Sequence, residues 1–480
     1  MQLAKPITLK RIKTLHCLTL TILVLFISAF TPVFSQDNSP YSRYGIGDLT
    51  PTSNIIGRSM GGISAGYTDV VAINFNNPAS YSSFQSFFQP KSKKMTSGRA
   101  ILDIGVDFES RTLRESSPPR KFVAGNALFS YLQVGLPLKK NVGLSFGIRP
   151  ISRVSYKISR NERLIDPLTG LPIDSAITRY EGNGGAYLAS VGTGFSLFTK
   201  MRANGIEEKE KLSFGINAGY LFGKKNYSTK RSFINDSVDY YQANYETNTN
   251  YGGLYFSAGL QYKRQLDSIK KISLTIGAFG NLGQKVNASQ DKLRETFVFD
   301  DNLGEVRLDS ISDLRNVKGK INLPVSFTIG FVLQKPIILE KDKKKAGWMI
   351  GMDFSMQNWS KYRFYGQVDS VKNKWEVRVG GQINPVPKRN YFSNVSYRAG
   401  FFMGPDYIKI GQKLSRFGAS FGMGLPIPLS RQAPNQFTLI NVAVEYSKRG
   451  SSKNLLRENM FRFSLGFSLS DLWFGKHRYD

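Results

Sequence analysis

Phe461-Arg-Phe-Ser-Leu-Gly-Phe-Ser-Leu469 alternates without a break, with Phe461, Phe463, Leu465, Phe467 and Leu469 on one side and Arg462, Ser464, Gly466 and Ser468 on the other. Side chains along a strand alternate with a period of two, so this stretch is a strand with one apolar and one polar face. By itself it suits any half-buried sheet. Its setting narrows the choice: Trp473-Phe474 follows it near the end of a chain whose beginning reads as an export signal. An exported chain that closes on an amphipathic strand and aromatics points to an outer-membrane β-barrel.

Residues 1–35 carry the signal. Lys5, Lys10, Arg11 and Lys13 form a basic start, Leu18 to Phe30 is mostly apolar, and Val33-Phe34-Ser35 supplies compact residues for cleavage. The alternative, an N-terminal membrane anchor, fits less well because the apolar core spans only about 13–17 residues where a spanning helix needs roughly 20. Cys17 has no lipobox before it. Cleavage near Ser35 leaves a chain without cysteine and with His477 as its one histidine, which excludes disulfides and thiolate metal sites. It also leaves little room for Ser-His catalysis, so no enzyme, metal or cofactor is expected.

Removal of the four signal cations takes the formal charge from +30 to +26. No basic run interleaves with aromatics as a nucleic-acid groove would, so the expected partners are anionic lipid and lipopolysaccharide, with the barrel assembly machinery acting during biogenesis. The expected location is the outer membrane of a Gram-negative cell. Past the signal, no run of 18 apolar residues occurs, while 45 glycines and an aromatic content of 13% favour a large β-structure.

From about residue 97 to residue 470 the alternation places fourteen candidate strands, all β, for a transmembrane antiparallel barrel over residues 96–474 with a short tail, 475–480. Leu102, Ile104, Val106 and Phe108 mark the outer face of the first. Leu144, Phe146 and Ile148 mark that of the third, and Ile440, Val442, Val444 and Tyr446 that of the thirteenth. Turns after even strands look short (Pro137–Asn141, Gln265–Lys270, and the corner at Pro426, Pro428 and Pro434). Polar connections after odd strands look long: Arg111–Arg120, Arg160–Ile173, Ser228–Asn250 and Ser289–Lys318. Glu340–Lys345 reads as a solvated turn. A pair of secreted β-sandwiches also alternates, but no interdomain linker divides this chain.

Residues 36–95 do not alternate and are rich in Gly, Ser, Asn and Pro. The lumen of a barrel this wide needs filling. A plug there would bury Ile55, Ile56, Met60, Ile63, Val70, Val71, Ile73 and Phe75; the alternative is a disordered periplasmic tail. Gly57-Arg-Ser-Met-Gly61, Ala65, Asp69, Ala72 and Asn77-Pro78-Ala79 resemble the N-terminal hatch of the FadL/TodX outer-membrane transporters. Leu323-Pro324, Phe327-Thr-Ile-Gly330, Trp348, Asp353, Trp359-Ser360, Arg398-Ala-Gly400 and Phe417–Gly422 are similar to that family's later strands. Ser80 departs from the usual glycine, and about twenty extra residues precede the hatch-like glycines.

The resemblance implies a fourteen-stranded barrel that takes up long-chain fatty acids or aromatic hydrocarbons through a hatch. Gly57, Gly61, Asp69, Asn77, Pro78 and Ala79 would be the gating residues. Asn77-Pro78-Ala79 is either a movable stopper or a turn into the wall. By alternation Arg149, Arg378, Arg398 and Arg462 face inward as candidate carboxylate partners, with Glu376 and Glu445 on the same face to pair with them. Trp348, Trp359, Trp375, Tyr446 and Trp473 are expected at the membrane interface. The rival to transport is a barrel on the same scaffold that serves as a structural or secretion-system accessory. A non-specific porin is disfavoured, because a hatch would block it.

Overall fold

The computed structural model describes residues 39–89, 95–201, 208–234, 241–300, 302–340, 343–427 and 436–473. The signal, the tail, Phe474, Pro428 and Pro434 lie outside the described residues. The strands that alternate in sequence form one continuous antiparallel wall. It comprises β1 (Met95–Ser116), β2 (Pro119–Lys139), β3 (Val142–Ile165), β4 (Pro172–Met201), β5 (Glu208–Phe233), β6 (Gln242–Asp267) and β7 (Ile272–Asn281). Then come β8 (Ser326–Lys335), β9 (Gly347–Gln357), β10 (Lys374–Asn384), β11 (Ser396–Pro405), β12 (Ser415–Ile427), β13 (Phe437–Arg449) and β14 (Leu456–Trp473). β14 pairs back onto β1 from Leu456 opposite Glu115 to Trp473 opposite Gly98, which closes the barrel. Both ends of the wall, the start of β1 and the end of β14, share one rim, the near rim; the opposite rim is the far rim.

Alternation sorts the faces as the sequence implies. Phe461 and Tyr446 are each 47% exposed on the outside, while Arg462 and Glu445 beside them are buried inside. The exposed apolar face matches lipid, and the β14–β1 pairing joins the two ends of the wall. Trp375 and Trp473 also point outward. Trp359 does not: it is buried, its ring 4.5 Å from that of Tyr407. It sits on a 3-10 turn, Trp359–Lys361, that ends β9, where strand periodicity no longer applies.

The connections expected to be long loops are mostly extended sheet. β3, β4, β5 and β6 run for 24, 30, 26 and 26 residues, against about 9–11 for a membrane crossing. The Ser289–Lys318 stretch is a hairpin, Lys285–Asp300 with Gly304–Asn322, whose first arm pairs with the far half of β6. Above the lipid both faces of a strand meet water, so the apolar period fades and the sequence looks like loop. These strands build a crown on one side of the far rim. Short near-rim turns, such as that between Lys139 and Val142 with Asn141 at φ 60°, match the sequence reading.

Candidate functional site

The non-alternating segment, residues 39–89, lies inside the wall and runs from the far rim to the near rim. At the far rim the Ser39 amide donates to the Ser155 carbonyl at 3.2 Å, and the Tyr41 hydroxyl donates to the Leu456 carbonyl at 2.8 Å. The Gly45 amide donates to Asp369 Oδ2 at 2.7 Å, and Lys225 Nζ donates to the Gly45 carbonyl at 2.5 Å. Tyr41, Ile46, Leu221, Tyr251, Trp359 and Tyr407 pack into one apolar cluster that fills this half of the lumen.

Asp48 is the electrostatic centre. Its carboxylate meets Arg111 at 2.7 Å and Arg449 at 3.1 Å; Arg449 also reaches Asp406 at 2.8 Å and Glu458 at 3.1 Å. The two guanidinium groups outweigh the burial of Asp48 and hold its carboxyl well below the usual range. The backbone of Asp48-Leu49 pairs with Arg153 and Ser152 of β3. That pairing stands at a defect in the wall. β2 and β3 are joined only from Leu132 opposite Ile148 down to Lys139 opposite Val142. Above it, β3 slips register against β4 between Pro150 and Ser152, as expected where proline withdraws a donor. The Thr50 amide and hydroxyl donate to the Ile151 and Pro150 carbonyls at 3.1 and 2.9 Å, so the leading segment stands where wall strand is missing.

Midway down, Asn54 caps the short helix Ile55–Arg58, accepting from the Gly57 amide at 2.9 Å. Arg58 Nη1 meets the Asp107 carboxylate of β1 at 2.6 Å, an ion pair buried on both sides. Gly61, at φ 71°, turns the chain flat against β10, β11 and β12, its amide donating to Ser420 Oγ at 2.9 Å. A Cβ on Gly400 would overlap Met60 and Gly61, so backbone meets backbone there. Asp353 Oδ2 accepts from the Ser64 and Ala65 amides at 2.7 and 2.9 Å, which explains an acid on the inner face of β9. Asp69 accepts from Tyr67 Oη at 2.6 Å and from the Val71 amide at 3.0 Å, a local turn.

Asn77, Pro78 and Ala79 begin a 3-10 turn, Pro78–Ser83; Asn77 Oδ1 accepts from the Ala79 amide at 3.2 Å, and its Nδ2 donates to the Ala65 carbonyl at 2.8 Å. Pro78 rests on Gly194 and Gly215 of the wall. Of the apolar residues expected inside, Ile55, Ile56, Met60, Ile63, Ile73 and Phe75 are buried, whereas Val70 stays 48% exposed at the near rim. It lines a cavity that opens there, beside Thr68 and Gln85.

All four inward arginines are on the lumenal face, in two different states. Arg462 is saturated, with Glu109 at 2.6 Å and Glu445 at 3.0 Å. Arg378 pairs with Glu376 at 2.7 Å. Arg149 instead donates to the Thr52 carbonyl at 3.0 Å and to Asn76 Oδ1 at 3.3 Å, its guanidinium 4.9 Å from the Phe75 ring. Arg398 donates to Gln382 at 2.6 Å and Asn441 at 2.9 Å. Among the described residues neither of these two has a carboxylate ion-pair partner. Arg149 and Arg378 border a cavity of about 140 Å³ with Ile46, Leu49, Leu221 and Phe279. The sequence reading missed Asp48, Arg58 and Asp353 as anchors. A lone buried acid on an inward strand face was the available signal for Asp107 and Asp353.

A family model described as BamG matches residues 12–480. The chain belongs to the BamG family. No curated protein matches it in sequence. Solved structures similar to this BamG-family chain include proteins of the FadL/TodX kind that its sequence resembles. The Pseudomonas putida toluene transporter TodX is 13% identical, covers 90% of this chain and 100% of its own, and has a TM-score of 0.45. A Pseudomonas aeruginosa FadL homologue is 13% identical with the same coverage and a TM-score of 0.44. The CymD monoaromatic hydrocarbon channel is 12% identical, covers 88% of this chain and 98% of its own, and has a TM-score of 0.44.

Proposed function

We propose that this BamG-family chain is a closed outer-membrane barrel that acts as a structural member of an outer-membrane assembly, working through its surfaces and not through its lumen. The observation that carries this reading is the double use of residues 39–52. They pack into the far half of the lumen and also pair with the edge of β3 left free above the β2–β3 junction. Among the described residues, the lumenal cavity bordered by Ile46, Leu49, Leu221 and Phe279 is about 140 Å³, whereas pockets for drug-sized ligands run to about 300–1,000 Å³. The larger near-rim cavity, about 400 Å³, is bordered mainly by polar groups such as Thr68, Ser82, Lys211 and Gln261, which a lipophile would not choose, since each methylene kept in water costs about 0.8 kcal/mol.

A second reading, hatch-gated uptake of fatty acids or aromatic hydrocarbons, is favoured by the FadL/TodX resemblance and by Arg149, a lumenal cation with no carboxylate partner among the described residues. In that reading residues 39–52 swing off β3, Arg149 takes the substrate carboxylate, and the 77–79 turn acts as the stopper.

One cross-link separates the two. Leu49 and Ser152 are direct strand partners, within the Cα range of a disulfide, and the chain cleaved near Ser35 has no other cysteine. In Leu49→Cys/Ser152→Cys, oxidation leaves the assembly role intact under our proposal. Uptake of palmitate or toluene is then the same in wild-type and deletion cells. Uptake that is present in wild type, stops on oxidation and returns on reduction would establish transport instead.

A further inference from the structure

On four neighbouring strands the outward apolar run gives way to cations near the far rim. On β14 it extends from Leu469 to Phe461 and is followed outward by Asn459 and Arg457; on β1 it extends from Leu102 to Phe108 and is followed by Ser110, Thr112 and Arg114. On β13 Lys448 follows Tyr446, and on β2 Lys121 follows Val123. Strand register lines these residues up. Arg457 is the direct partner of Arg114, and Arg114 is that of Lys121. Lys448 stands one row closer to the lipid, opposite Asn459. The three cations of the row span two sheet spacings, about 9–10 Å.

Like charges set directly opposite on a sheet destabilise it. Here the protein supplies no compensation. Among the described residues the side chains of Arg114, Lys121, Lys448 and Arg457 have no hydrogen-bond or ion-pair partner, and Arg457 Nε is shielded from water without an acceptor. The acids next in sequence, Glu115 and Glu458, turn to the inner face. There Glu458 is buried and held by Arg111 at 3.5 Å and Arg449 at 3.1 Å. Cations on the crown differ: Arg160 meets Glu162 at 2.8 Å, and Lys230 meets Glu305 at 2.5 Å. The uncompensated row stands where the lipid belt ends, with Phe461 and Tyr446 exposed on its lipid side.

We infer that Arg114, Lys121, Lys448 and Arg457 bind the phosphate groups of an anionic lipid in the leaflet nearer the far rim, its acyl chains lying along Phe461, Tyr446 and the apolar runs below. The two guanidinium groups offer paired N–H donors to phosphate oxygens, and the lysines add charge at headgroup level. The aromatic side chains below sit where amphipathic and apolar groups meet the interface. A free anion would neutralise the row but gain nothing from the apolar runs. The acidic face of a soluble protein would have to enter the headgroup layer to reach it. Lipid is therefore the occupant that the geometry favours. The site lies on the outer wall and does not depend on whether the lumen conducts.

The full chain, purified in a neutral detergent, would be mixed in that detergent with bisphosphorylated lipid A or its dephosphorylated form, and bound lipid counted by native mass spectrometry. Wild type should retain the phosphorylated lipid and not the other, with retention undiminished by excess inorganic phosphate. Arg114→Gln/Arg457→Gln should lower retention roughly tenfold. Relieved of like-charge contact, that variant should melt no lower than wild type in lipid-free detergent. Arg114→Lys/Arg457→Lys keeps the charge and should restore most of the retention. Removal of two paired crown cations, Arg160→Gln/Lys230→Gln, should leave retention at the wild-type level. Equal retention by wild type and the glutamine variant of the row would overturn the inference. So would an equal loss in the crown control, displacement by inorganic phosphate, or displacement by polyglutamate, which would reassign the row to an acidic protein partner.

Discussion

Two junctions of the same wall are closed by different means. The β14–β1 seam is paired along all 18 residues of β14, and inside it the leading segment is held through side-chain charge: Arg58 to Asp107, Asp48 to Arg111. The β2–β3 junction is paired only near its base, and there the leading segment is held through backbone, as a substitute strand at Asp48-Leu49 and through Thr50. Where the wall satisfies its own backbone groups, only side chains remain to bind an insert. Where it does not, the insert itself must satisfy them, because unpaired buried amides are costly. The segment is thus a ligand on one side and a piece of wall on the other.

The charge-held side should give the largest response. Arg58→Ala leaves Asp107 buried without its main cation, and breaking a buried pair from one side costs about 3–5 kcal/mol. We expect the segment to detach from the seam, seen as new protease cleavage between residues 39 and 60 and as conductance in planar bilayers. The β1–β14 pairing should survive, since it does not depend on Arg58. A wall that unfolds together with the segment would show that the seam is not self-sufficient, and the contrast would fail.

Asp48 belongs to both sides, so it tests them together. Its carboxyl is held below its ordinary value, so its contribution is complete above about pH 4 and fades only as pH falls through the depressed value. Asp48→Asn removes the charge at every pH while keeping the backbone pairing to β3. The expected cost is about 2 kcal/mol, that of hydrogen bonds to a charged group. Protection of residues 39–52 from proteolysis should be flat between pH 7 and pH 5 in wild type and uniformly lower in the variant. A loss of protection in wild type over that window would assign the clamp to a group that titrates near neutrality. On the other side, Thr50→Ala deletes the hydroxyl bond to Pro150 but keeps the amide bond to Ile151, so about 1 kcal/mol is expected, read as faster amide exchange at Thr50 alone.

This division also marks what the sequence made legible. Period-two alternation gave the wall, the inward set Arg149, Arg378, Arg398 and Arg462, and the partners Glu376 and Glu445, because lipid outside and polar lumen inside impose opposite demands on successive residues. Composition identifies residues 36–95 as something other than wall. It could not show that their first part climbs to the far rim and mends β3, since strand substitution uses backbone groups that every residue carries. The crown was taken for loops because water on both faces erases the period. Trp359 is expected at the interface because amphipathic rings favour the headgroup level, but the 3-10 turn that follows β9 places it inside. Asn77-Pro78-Ala79, where a proline argues against regular strand pairing, begins a 3-10 turn.

That triplet yields the smallest effect we anticipate, and the most pointed one. Pro78 opens a 3-10 turn whose first position needs no amide donor, and Asn77 caps it; the Pro78 backbone lies against Gly194 and Gly215, while the ring adds a fixed torsion and contact with Gly259. Pro78→Ala keeps the cap and the backbone path, so the change acts chiefly by giving the unfolded chain more freedom, about 0.4–1 kcal/mol. If the near half of the segment is a fixed turn into the wall, thermal stability falls slightly while uptake and conductance stay at wild-type values. If it is the moving stopper, the same small loss is concentrated in the closed state, and each 1.4 kcal/mol there multiplies the open population tenfold. Conductance that rises in Pro78→Ala without a matching fall in overall stability would therefore move the gate from the far half of the segment to the near half.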